Sequence, residues 1–168
     1  MSGTDRAEAA RADDRADVAG LAERAAVVDV CVRYARALDR RDWDLLATCF
    51  TPDAVVDFDG MDRIEGAAAL VAVCRSVLEP LSVSQHLLGT HHVEVDGDRA
   101  RSECYLHAQH VRAELAPDDK YVIAGTYIDA LVRTADGWRI THRRLAAAWA
   151  QGNPAVVAPP ETAQRSEQ

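Results

Sequence analysis

The stretch RYARALDRRDWDLLATCFTPDAVVD, Arg33 to Asp57, decides how the chain is read. It contains a helix end, a tight helix–helix connection, a second short helix and the entry into a strand. Working upstream, Val27, Cys31, Tyr34, Ala35 and Leu38 recur at helical spacing, which predicts a core-facing helix over about 21–39. Asp39 falls at the end of that helix, at the edge of its apolar face, and Tyr34 turns a phenol toward the interior. Asp42 suits an N-cap for a second helix bearing Trp43, Leu45, Leu46, Cys49 and Phe50. Thr51-Pro52-Asp53 should end it, because proline cannot continue the hydrogen-bond ladder. AVVDF, with its β-branched residues, then reads as a strand.

Working downstream, Gly60 to Gly66 holds a turn and a short strand segment, and AAALVAVCRSVL (Ala67 to Leu78) is a third helix stopped by Pro80. Everything after that is strand. SVSQHLLGTHHVEV and RARSECYLHAQHVRAEL flank Asp96-Gly97-Asp98, a strong hairpin signal. A looser loop at Ala116 to Asp119 leads to KYVIAGTYIDALVRT, and Ala135-Asp136-Gly137 turns into WRITHRRLAAAWA. Three helices followed by a long meander predict an α+β fold, with the helices covering one face of a curved antiparallel sheet. Residues 1–20 carry almost no large apolar side chain and are expected as a flexible N-terminal extension. The domain then spans 21–152, and the Pro- and Ala-rich residues 153–168 are expected as a flexible C-terminal tail.

At 168 residues the chain suits one domain with a sizeable core. Its net charge of −8 argues against a nucleic-acid partner, which would need a basic footprint. Cys31, Cys49, Cys74 and Cys104 form no CxxC pair and are expected to be reduced and buried, hence a cytoplasmic protein. No run approaches the roughly 20 apolar residues that span a membrane, so no membrane partner is expected.

Alternation assigns the faces of the hairpin. Ala100, Ser102, Cys104, Leu106, Ala108 and His110 share one face, and this small, apolar set should look inward, which makes His110 inward and His107 outward. A two-residue Asp-Gly turn would pair His86 with His107, whereas a three-residue loop would pair it with Ala108. Composition favours the second, with His86 and His110 as the inward pair. A histidine oriented by a carboxylate is a natural general base near neutral pH, so Asp39 and His86 could form such a dyad. Tyr34 and His110 could donate to a substrate oxygen, and Arg143 could pair with Asp39 or hold a developing oxyanion. Each group also has an ordinary structural role: a satisfied core histidine, a capping or salt-bridging aspartate, a packed tyrosine. His91 and His92 should point to opposite faces, as should His107 and His110, so neither pair suggests a metal site; no zinc spacing, GxGxxG or GxSxG motif occurs. No metal or cofactor is expected.

RYARALDRRDWDLLATCFTPDAVVDF, SQHLLGT and DGWRITHRR together resemble the SnoaL-like family of the nuclear-transport-factor-2-like superfamily, from about Val27 to Asn153. The resemblance implies a cone of curved sheet wrapped by helices, commonly dimeric through the outer face of the sheet. Relatives include polyketide cyclases, scytalone and bile-acid dehydratases, ketosteroid isomerase, a dehydrochlorinase, limonene epoxide hydrolase and non-catalytic binding proteins. Asp39 and His86 match the dyad of the dehydratases and the dehydrochlorinase. Tyr34 matches the bile-acid dehydratase tyrosine, Arg143 a pocket arginine, and His110 the second histidine of scytalone dehydratase. Leu38 and Phe58 stand where scytalone dehydratase has two tyrosines, which disfavours scytalone itself; Tyr34 replaces the dehydrochlorinase lysine, which disfavours dehalogenation. Phe58, Leu38, Leu88 and Tyr127 are expected on the substrate-binding wall. The implied function is a cofactor-independent dehydratase or cyclase acting on a hydrophobic, oxygenated polyketide-, steroid- or terpenoid-like molecule, in a homodimer or higher homo-oligomer. The alternatives are a ketosteroid-isomerase-like isomerase and a non-catalytic binding module.

Overall fold

The computed structural model describes the backbone of residues 3–158 and the side chains of residues 17–158. Three helices lie against one six-stranded sheet: α1 (Gly3–Arg40), α2 (Trp43–Thr48), β1 (Phe50–Phe58), β2 (Ile64–Glu65), α3 (Ala67–Leu78), β3 (Val83–Asp96), β4 (Arg99–Val111), β5 (Lys120–Thr134) and β6 (Gly137–Gly152). The strand order is β2-β1-β6-β5-β4-β3. The α+β architecture is as the sequence indicates, but the sheet is mixed: β1 runs parallel to β6, and every other neighbouring pair is antiparallel.

Helix α1 begins at Gly3, well before the expected start near 21, because the alanines and arginines of this Ala-, Asp- and Arg-rich segment favour helix without needing a face to bury. Its buried stripe is Val27, Val30, Cys31, Tyr34, Ala37 and Leu38. The helix ends with Arg41 in the left-handed region (φ 57), where the Asp42 N–H donates to the Ala37 carbonyl and the Arg41 N–H to that of Leu38. The Arg41 guanidinium donates to the Leu81 carbonyl at 2.7 Å, which ties this end to the approach of β3. Asp42 caps α2 by accepting from the Leu45 N–H at 3.0 Å.

Strand β1 starts at Phe50, so Pro52 sits inside a strand rather than after a helix. It is tolerated because the pairing of β1 with β6 is interrupted between Phe50 and Val55, where no ladder N–H is required. The tail expected from Asn153 also differs over its first residues. Asn153 caps a 3₁₀ turn over Pro154–Val157, and Val156 is fully buried, since an apolar valine at the base of the sheet gains by filling the core. Residues 159–168, the rest of that expected tail, lie outside the described residues.

The pairing of β3 with β4 puts His86 opposite Ala108 and Ser84 opposite His110, as composition favours. The route to that register is different from the expected three-residue loop. Asp96 pairs directly with Arg99, and a bulge between Gly89 and His92 shifts the register back.

Candidate active site

Asp39, at the last turn of α1, meets β3 where the Arg41–Leu81 contact draws the two together. Its Oδ1 lies 2.6 Å from His86 Nδ1, and its Oδ2 accepts the His86 backbone N–H at 3.0 Å. A carboxylate near a helix C-terminus faces the negative end of the helix dipole, and these two donors offset that penalty. Nδ1–H therefore donates to Asp39 and Nε2 keeps its lone pair. The His86 side chain is 5% exposed and that of Asp39 26%, so the dyad is sheltered but reachable.

His86 opens onto a cavity of about 430 Å³ between the sheet and α1 and α3. Its wall includes Tyr34 and Leu38 from α1, Phe58 at the end of β1, and Val73, Cys74 and Val77 from α3. The strands add Leu106, Ala108, His110, Tyr121, Ile123 and Tyr127. The His110 ring stands edge-on to His86, with centroids 5.5 Å apart. Burial, and next the proximity of His86, push the His110 pKa down to about 4, so the ring is neutral at neutral pH. Its Nδ1 is buried with no hydrogen-bond partner among the described residues. The Tyr34 and Tyr127 hydroxyls lie 3.4 Å apart on the same wall, and burial raises both phenol pKa values, keeping their protons available to donate.

Of the residues expected at the site, Asp39, His86, Tyr34, His110, Leu38, Phe58 and Tyr127 are brought together around this cavity. Leu88 and Arg143 are not. Leu88 shares the inward face of β3 but does not line the cavity, and packs half-buried against the core instead. Arg143 is fully buried behind the wall and pairs with Asp129 rather than Asp39: its Nε and Nη2 donate to the two Asp129 oxygens at 2.7 Å each. Its guanidinium lies 4.0 Å from the Tyr34 ring centroid and 4.1 Å from that of Tyr127. Burial works against its charge, but Asp129, aided by Tyr34, more than offsets this and holds its pKa above the ordinary value. Arg143 therefore buttresses the two tyrosines instead of meeting a substrate. Tyr121, Ile123 and the α3 residues were not anticipated from the sequence. Alternation on β5 from Tyr127 would have found the first two; the angle at which α3 crosses the sheet has no local signature.

Cys31, His91 and Cys104 offer ligand atoms that all lie within 4.8 Å of one another, in contrast to the absence of any such group expected from spacing. They come from α1, β3 and β4, so no local spacing announces them. The Cys31 thiol lies 3.8 Å from Asp129 Oδ2 and 3.9 Å from Ser102 Oγ. Cys104, then His91, Arg143 and Ser102, lower the Cys31 pKa against the effect of burial, while Cys104 is pushed up. None of the three lines the cavity.

A family profile for the SnoaL-like domain matches residues 19–144. The chain is 37% identical over 129 residues to an uncharacterised protein of Mycobacterium tuberculosis, covering 75% of this chain and 86% of that one. It is 30% identical over 141 residues to the terrestric acid biosynthesis cluster protein E of Penicillium crustosum, covering 81% and 90%. In fold it resembles a crystal structure from Novosphingobium aromaticivorans named as a candidate scytalone dehydratase, with a TM-score of 0.74 at 19% identity, over 85% and 95% of the two chains. The profile match spans most of the chain, which therefore belongs to the SnoaL-like domain family.

Proposed function

We propose that the chain is a cofactor-independent lyase, a dehydratase or cyclase, acting on a hydrophobic, oxygenated small molecule of polyketide-, steroid- or terpenoid-like character. The observation that carries this reading is the Asp39–His86 contact of 2.6 Å at the wall of an apolar cavity. Nε2 of His86 removes a proton next to a substrate carbonyl, and Asp39 stabilises the imidazolium that forms. Tyr34 and neutral His110 hydrogen-bond to the substrate oxygens; in a dehydration the proton taken up by His86 passes to the departing hydroxyl, which leaves as water, and in a ring closure the same hydrogen bonds hold the developing charge. The apolar wall sharpens these interactions by keeping bulk water away. The likeness to a biosynthesis-cluster protein in Penicillium supports a secondary-metabolite-like substrate.

The test is turnover of a panel of hydroxylated polycyclic ketones, with mass spectrometry to detect loss of one water or an isomeric product. His86→Ala is expected to lower kcat by roughly 10²–10⁴-fold on an accepted substrate, with the melting temperature little changed. Unchanged turnover in that variant would sink the assignment. A product of unchanged mass with a shifted double bond, sensitive to Asp39→Asn more than to His86→Ala, would point to an isomerase instead. Four free, buried cysteines support a reducing, cytoplasmic setting, and no described helix is long and apolar enough to cross a membrane.

A further inference from the structure

Two thiols and an imidazole converge behind the cavity wall, on the far side of the Arg143–Asp129 pair from the proposed substrate. We propose that Cys31, His91 and Cys104 form a structural site for a thiophilic divalent transition metal, zinc foremost, that staples α1 to the β3–β4 hairpin.

The donors are soft or borderline, the combination that selects zinc-type ions over magnesium or calcium. Zinc–sulfur and zinc–nitrogen bonds near 2.3 and 2.0 Å put tetrahedral ligand atoms roughly 3.5–3.8 Å apart. The present spread, within 4.8 Å, closes with small side-chain movements. Aiming is the second observation. Regular alternation past Ser84, His86 and Leu88 would leave His91 on the outer face. The bulge between Gly89 and His92, with Thr90 held at φ 53, reverses the phase and turns His91 inward beside Cys104. A β-branched residue in that region is strained, and such strain persists only where the surrounding structure imposes it. The delivered ring nevertheless has a buried Nδ1 without a hydrogen-bond partner among the described residues, a cost that coordination would remove.

Charge balance also fits. Binding a dication releases the two thiol protons, and the resulting dithiolate neutralises the metal. Asp129 is held by two bonds from Arg143 and that pair is neutral in itself, so no net charge is added to the core. With Asp129 engaged, the fourth position falls to Ser102 or a water. Cys31 is one turn from Tyr34 and two from Asp39 on α1, so the staple would fix the helix that carries half of the proposed site.

The experiment titrates the reduced, chelator-stripped full chain anaerobically with Co²⁺, then displaces it with Zn²⁺. Saturation at one equivalent is expected, with thiolate-to-Co²⁺ charge-transfer absorption that Zn²⁺ abolishes, and a melting temperature raised by Zn²⁺ and lowered again by EDTA. Cys31→Ser and Cys104→Ser should lose the charge-transfer band, His91→Gln should weaken affinity by at least about tenfold, and Cys49→Ser should bind as the wild type does. His91 is only partly buried, so His91→Gln preserves the fold even if a serine variant does not, with circular dichroism as the check. Absence of the band at stoichiometric Co²⁺ would overturn the proposal. So would wild-type affinity in His91→Gln, or a reduced chain that forms a Cys31–Cys104 disulfide on oxidation but takes up no metal.

Discussion

His110 is neutral because burial, and next the proximity of His86, outweigh the opposing pull of Asp39, and this sets a pH dependence that can be measured. An ordinary histidine takes its proton near pH 6.5, whereas His110 in the folded chain does so only near pH 4. Between those values the unfolded state alone binds the proton, so the stability contributed by neutral His110 is complete above about pH 6.5 and declines as the pH falls toward 4. The loss is on the order of 3 kcal/mol at its limit. Chemical denaturation at stepped pH should therefore show a steeper acid decline in the wild type than in His110→Gln; parallel curves would refute the assignment. Asp129 has the opposite kind of importance. It is the buried counter-charge of Arg143, and Asp129→Ala would leave a guanidinium unpaired beneath Tyr34 and Tyr127. A destabilisation of about 3–5 kcal/mol is expected in denaturant melts. Loss of activity in that variant would arise through displaced tyrosines, so it should appear together with the loss of stability.

At the scale of elements, curvature depends on where strands are allowed to irregularise. Gly125 sits at the break in the β5–β6 register, and a Cβ there would lie 2.3 Å from the Ala146 carbonyl oxygen and 3.0 Å from Ala147 Cα, both backbone atoms that cannot move aside cheaply. Gly125→Ala should cost about 1–3 kcal/mol, read as a lower urea midpoint, and should disturb the cavity wall between Leu106 and Tyr127. The same irregularities explain what could be read from the sequence. Helical spacing placed Tyr34 and Leu38 inward and Asp39 at the helix end, and alternation placed His110 inward, because periodicity acts within a single element. The parallel pairing of β1 with β6, the Asp129 partner of Arg143 and the inward turn of His91 are settled between elements distant in sequence. The β3 bulge shows the difference well: its consequence, His86 opposite Ala108, agreed with composition, while its position left no mark beyond the unremarkable triplet Gly89-Thr90-His91. Pro52 suggested a helix stop, yet α2 already ends at Thr48 and the proline belongs to β1.

At the scale of the whole molecule, the inner face of the sheet is occupied by helices and cavity, and the outer face of β3 to β6 is left with large apolar side chains. Tyr105 is 61% exposed, Leu87 58%, Trp149 49% and Ile128 38%. Register puts two of them, Leu87 and Trp149, on one line across the sheet: Leu87 lies opposite His107, His107 opposite Ala124, and Ala124 opposite Trp149, with the His107 and Trp149 rings packed edge to face at 5.8 Å. Large aromatic and aliphatic side chains left exposed on one sheet face are the composition of an interface core. We propose that this face pairs with the same face of a second copy, an isologous contact in which each chain buries the other's tryptophan. Such a dimer also fits the proposed chemistry, since it would brace the sheet that holds His86 and His110 without covering a cavity that opens on the opposite side. Sedimentation velocity should show a dimer at micromolar concentration, and Trp149→Glu combined with Tyr105→Arg should convert it to a folded monomer by placing charge in the centre of the contact. A wild-type monomer under those conditions, or a double variant that still sediments as a dimer, would exclude this face and leave its aromatic cluster to some other partner.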